Sequence, residues 1–153
     1  VRAVFDLDLP STTYDTVGIR LAWSSLDGSK PLLESQVAGL HGFEHALMAV
    51  APIIAGCDRG DLGSAWYVAF ADPLQDQARL HPTIFVFDRT PGGVGLCEKL
   101  FESLTGWLSA ALQLLTSCEC ENGCPACLFS SLCEVNNDML AKPDTIRLLQ
   151  GLR

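Results

Sequence analysis

The chain has 153 residues, 48% of them hydrophobic, with a formal net charge of -8 and a pI near 4.6. That length fits one globular domain with a real core. The acidic balance excludes a protein that holds a polyanion by overall charge, so any contact with nucleic acid is local or made beside a basic partner domain.

Taken in order, Ala3 to Leu9 partly alternates and ends at Pro10, and Thr16 to Trp23 alternates more clearly, which predicts two strands paired antiparallel. Ser24 to Lys30 is a turn-rich loop. Pro31 to Ile54 predicts a long helix, with Leu40, Phe43, Leu47, Val50, Ala51 and Ile54 on one side. Only Glu34 and Glu44 are charged in that span, so the helix is expected to be buried around most of its circumference. Gly39 and Gly42, one turn apart, offer a place for another backbone to come close.

Cys57 to Ser64 reads as a loop, and its Arg59-Gly60-Asp61 is turn chemistry. Trp66 to Phe70 suits a short strand, and Asp72 to Pro82 a polar connection. Thr83-Ile84-Phe85-Val86-Phe87 is continuous, β-branched and aromatic, the mark of a central strand covered on both faces. It ends on Asp88. Pro91-Gly92-Gly93-Val94-Gly95 then turns the chain into a second long helix whose stripe runs from Leu96 to Leu115, and a last helix starts near Pro143. The predicted class is α+β: a small, mostly antiparallel sheet, two long buried helices and a C-terminal four-cysteine zinc knot. No apolar run approaches ~20 residues. Val1-Arg2-Ala3 has neither an initiator methionine nor signal-peptide features, so residues 1–153 read as a single domain cut from a larger soluble protein, without a membrane.

Five of the seven cysteines fall within Cys118 to Cys133, in the order C-x-C-x3-C-x2-C-x5-C. An odd number at this spacing suits metal thiolates in a reducing compartment, with the cytoplasm as default location. Cys57 and Cys97 read as buried small apolar side chains. Cys124-Pro125-Ala126-Cys127 is a knuckle, and two more thiolates complete a closed, structural Zn²⁺ shell. Cys118, Cys120 and Cys133 compete for those two places. With only Glu119 between them, Cys118 and Cys120 are expected to share an ion only if the chain bends at Glu119, and Cys133 is the substitute.

Two other stretches bear chemistry. His41-Gly42-Phe43-Glu44-His45 fits H-x-x-E-H, which puts two imidazoles and a carboxylate within one turn of helix. The bland counterpart is a trio that satisfies its own hydrogen bonds in a buried helix. The glycine turn after Asp88 offers either a tight turn or backbone N–H groups for an anion.

The H-x-x-E-H helix, the strand ending in F-D-x-x-P-G-G-V-G, the C-x-C-x3-C-P-x-C knot and the Asn-rich segment before Lys142 together resemble the C-terminal zinc-binding domain of the mitomycin-repair-factor family of superfamily-two (DEAD/DEAH-box) helicases. The resemblance spans roughly Leu40 to Leu149. It implies an ATP-driven DNA helicase in which such a domain follows two RecA-like motor domains, and related domains occur in anti-phage defence proteins. It places the family's zinc cysteines on Cys118, Cys120, Cys124 and Cys127, leaving Cys133 in reserve. No ATPase motif is present here. The expectation is a non-catalytic, zinc-stabilised accessory domain that partners the motor domains of its own chain and shapes their path for single-stranded DNA. Its alternatives are a metal-dependent hydrolase using His41, Glu44, His45 and Asp88, or a protein-interaction domain of a defence complex.

Overall fold

The computed structural model describes residues 11–23, 32–71 and 80–151. The strand expected at Ala3 to Leu9, its pairing, and the Ser24 to Lys30 loop lie outside these residues.

The first helix, α1 (Glu34–Ala55), is the axis of the domain. Leu40, Phe43, Ala46, Leu47 and Ala51 are wholly shielded. Three further helices, α2 (Leu96–Glu102), α3 (Leu104–Ser117) and α4 (Lys142–Gln150), pack on α1, as does the sheet. This explains why a helix with two charges is tolerated: nearly every side of it meets protein. Its mean hydropathy of 1.4 and 22-residue length also meet the requirement for a membrane crossing, contrary to the expectation from apolar runs alone. With 72% of that window buried inside the domain, the composition is accounted for by core packing. Gly56 closes α1 in the left-handed region at φ 71°, and Lys99 Nζ binds the free Ala55 carbonyl at 2.6 Å.

The sheet holds β1 (Gly18–Ala22), β2 (Leu62–Ala71) and β3 (Leu80–Asp88) in the order β1-β3-β2, all antiparallel. β2 starts four residues earlier than the apolar run implied, because Leu62, Gly63 and Ser64 pair with Asp88, Phe87 and Val86. The expected loop shrinks to a 3-10 turn at Arg59–Asp61. β3 also starts earlier and contains Pro82, where the β2 register is irregular between Tyr67 and Phe70, so the missing proline N–H breaks no regular ladder. β3 is central as expected, but its two faces differ. Ile84 and Val86 are buried towards the helices, whereas Phe85 and Phe87 are half-buried on the opposite face. Among the described residues, helices cover one face only.

The second long helix divides at Ser103 (φ -100°, ψ 18°) into α2 and α3. Both halves pack on α1, but α2, with Cys97 and Leu100 buried, also reaches β1 and β3, whereas α3, with Trp107, Ala111, Leu112 and Leu115 buried, also reaches α4. Trp107 is fully buried, and its indole N–H donates to the Leu47 carbonyl at 3.0 Å, which satisfies its one polar atom.

The glycines of α1 are where α4 approaches. A Cβ built on Gly39 would lie 3.1 Å from the Asp144 carbonyl oxygen, and one on Gly42 would lie 2.0 Å from Thr145 Oγ1. A Cβ on Gly106, at the exposed start of α3, meets nothing within 4 Å. The two glycines are therefore expected to respond with opposite sign. Gly106→Ala should raise stability by about 0.5–1 kcal/mol through helix propensity. Gly42→Ala should lower it by about 1–3 kcal/mol by overpacking against α4. Thermal unfolding of both variants checks this.

Candidate metal centre

Four sulfurs converge where α3 ends. Cys118 caps α3 in extended conformation, and Cys120 follows it two residues on. Their sulfurs lie 3.6 Å apart on the same side, as alternation along an extended chain allows for residues i and i+2, so the bend expected at Glu119 is not required. The remaining separations are 3.6 Å for Cys118 to Cys124, 3.5 Å for Cys120 to Cys127 and 3.8 Å for Cys124 to Cys127. A tetrahedral ion with Zn–S bonds of ~2.3 Å requires sulfurs ~3.8 Å apart, so the set fits zinc. The knuckle is pinned by the Cys124 carbonyl, which accepts from the N–H groups of Cys127, Leu128 and Phe129. Gly123, at φ 116°, makes the turn before it.

Lys142 was not singled out by spacing, yet it completes the cluster. It is 6% exposed, and its ammonium donates to the Cys118 and Cys120 carbonyls at 2.5 and 2.6 Å, with Cys120 Sγ at 3.6 Å. Four thiolates around one dication leave a net charge of about -2, which a buried ammonium offsets. Lys142 is also the first residue of α4, where a cation opposes the helix dipole. That misfit was the available signal that this lysine has a partner elsewhere.

Cys133, the reserve ligand, sits apart from the four sulfurs. Its Sγ lies 3.4 Å from His41 Nε2 and accepts the Asn137 N–H at 3.2 Å. His41 and His45 meet edge to face with centroids 4.5 Å apart, and Trp66 stacks on His41 at 4.8 Å. His45 Nδ1 bonds the Leu128 carbonyl at 2.8 Å, directly after the Cys127 knuckle. Glu44 takes a hydrogen bond from Ser64, and its Oε2 lies 3.6 Å from His45 Nε2. Burial, then the neighbouring His45, push His41 down to about 4, and burial pushes Glu44 up. These groups line a cleft of about 380 Å³ that also takes in Arg59, Arg89 and Ser130.

Asp88 does not join that cleft. It is fully buried, and its carboxylate accepts from the N–H groups of Val94 at 2.7 Å, Cys97 at 2.9 Å and Leu96 at 3.2 Å. The donors that an outside anion would use are therefore occupied by the chain itself, and the four-residue hydrolase constellation does not assemble. Cys97, 1% exposed, is pushed up to about 12 by burial and then by Asp88, as suits an inert core thiol. Cys57 is only half-buried.

Burial alone would raise Asp88, but its hydrogen bonds from Val94, Cys97 and Leu96 outweigh that and hold the carboxyl below the usual range. Asp88→Ala strands these donors, and the expected loss is about 2 kcal/mol or more in denaturant unfolding at neutral pH. Because the folded pKa is depressed, this contribution is present above the unfolded value of ~3.9 and disappears as pH falls through the folded one. The parent and variant curves should converge in acid.

With the geometry in place, comparison with known proteins assigns the family. The sequence model described as the MrfA Zn-binding domain matches residues 43–128. An uncharacterised protein of Methanocaldococcus jannaschii is 35% identical over 114 residues, covering 74% of this chain and 98% of that protein. The uncharacterised ATP-dependent helicase YprA of Bacillus subtilis is 32% identical over 131 residues, covering 76% of this chain but 17% of the helicase. Among solved structures, the DUF1998 helicase MrfA bound to DNA and AMPPNP superposes with a TM-score of 0.66 at 29% identity, over 94% of this chain and 16% of MrfA. The chain thus spans nearly the whole of one relative and about a sixth of the helicases it matches, and it belongs to the zinc-binding domain family of MrfA-like helicases.

Proposed function

We propose that Cys118, Cys120, Cys124 and Cys127 hold one structural Zn²⁺, and that the zinc-stabilised domain acts beside a helicase motor, helping to shape the path of single-stranded DNA. The observation that carries this reading is the four-sulfur cluster itself. It is a closed shell with no position left for water or substrate, set between the end of α3 and the start of α4. Such a site clamps and does not catalyse. The likeness to MrfA solved with DNA and AMPPNP supports the helicase setting, and an acidic chain fits a part that organises the motor while basic partners hold phosphates. A DNA-associated role inside the cell is the corresponding location. The comparisons favour neither the hydrolase nor the defence-complex reading.

Zinc-binding energy at such a site is folding energy, on the order of 10 kcal/mol. Cys124→Ala is expected to lose the metal of this cluster and cooperative unfolding together, seen by metal analysis and circular dichroism. A folded variant with metal content unchanged would contradict the ligand assignment. The motor role is tested by joining the chain to an MrfA-type motor in place of that motor's own domain. The expected result is that deleting it lowers strand separation per ATP hydrolysed, and equal coupling with and without it would remove the motor reading.

A further inference from the structure

Away from the four-cysteine cluster, His41, His45 and Cys133 bring two ring nitrogens and one sulfur within 4.8 Å of one another. We propose that these three side chains hold a second divalent transition metal, Zn²⁺ by donor chemistry, with the fourth coordination position open to the cleft beside Glu44. The Cys133–His41 separation suits it. Cys133 Sγ to His41 Nε2 is 3.4 Å, and sulfur and nitrogen ligands of a tetrahedral zinc, at ~2.3 and ~2.0 Å from the ion, stand roughly 3.5 Å apart. Mixed imidazole and thiolate donors are a borderline set that favours zinc over the hard cations.

The surroundings are those of a ligating set. With Nδ1 bonded to the Leu128 carbonyl, His45 carries its ring proton there and has Nε2 as the nitrogen left to offer a metal. Trp66, stacked on His41, fixes the orientation of that ring. The Asn137 N–H donates to Cys133 Sγ and holds that sulfur in place. A Cys–His nucleophile pair, the competing use of the same groups, would need one imidazole and leaves the convergence of the second without a purpose.

The loop that carries Cys133 also calls for such a link. Asn136, Asn137 and Met139 stand in the left-handed region at φ 54°, 63° and 55°, and Leu132 and Met139 are 62% and 51% exposed. Backbone strain of about 1 kcal/mol per such residue is therefore not offset by apolar burial of these side chains. Polar ties hold the loop instead. Asn137 exchanges two hydrogen bonds with the Ser130 backbone, and Arg59 donates to Ser130 Oγ. A metal shared by Cys133 and the two histidines of α1 would staple the loop to the central helix, independently of the helicase reading.

The test is metal content of the zinc-saturated, dialysed chain by mass spectrometry. Two zinc ions per chain are expected, falling to one in His41→Asn and in Cys133→Ser, with the four-cysteine ion retained. Cobalt substitution adds a spectroscopic check: the unmodified chain should show tetrathiolate bands plus a second set at shorter wavelength, and the variants only the first. Should the unmodified chain bind one ion, with Cys133 alkylated at the same rate in the presence and absence of zinc, the site is a thiol–imidazole pair and the proposal fails. That result would leave the four-cysteine assignment intact, so the two claims are separable even if a variant does not fold.

Discussion

The convergence of Cys118, Cys120, Cys124 and Cys127 is the constraint on which the C-terminal half depends. α4 has nine residues, too few for a helix that stands alone in water, and it owes its place to packing against α1. The approach leaves no space for a side chain at Gly42 and is tight at Gly39. The four-sulfur knot sets the point from which the chain departs towards that helix. Lys142 joins knot and helix directly, since its backbone opens α4 while its ammonium binds the carbonyls of two of the cysteines.

A second joint lies where α2 begins. Asp88, at the end of the central strand, gathers the N–H groups of the glycine turn and fixes the angle at which α2 leaves the sheet. α2 then covers β1 and β3, and the break at Ser103 redirects α3 towards α4. Sheet, central helix and metal knot are thereby connected through short polar joints, and the apolar core fills the space between them. The cleft of His41, Glu44 and His45 sits at the edge of this arrangement, tied to the knot through the Leu128 carbonyl.

Much of this was legible in the sequence where pattern alone decides structure. The near absence of charge from Pro31 to Ile54 implied a buried helix, and the run Thr83 to Phe87 implied the central strand. The knuckle spacing implied a sulfur cluster. Where pairing or backbone angle decides, the sequence was silent. Cys133 meets His41 across 92 positions of chain. Asp88 looked available for chemistry because its partners are backbone N–H groups, which every sequence contains. The division at Ser103 follows from two packing targets that appear only once the sheet is in place.

The central claim is that metal at the four sulfurs holds α4 against α1. Amide hydrogen exchange of the zinc-loaded and chelator-stripped chain tests it most directly, at the α4 amides of Thr145 and Leu149, both buried. The account predicts slow exchange at these amides with zinc and a loss of protection of at least an order of magnitude without it. Protection in α4 that is unchanged by removal of the metal would contradict it.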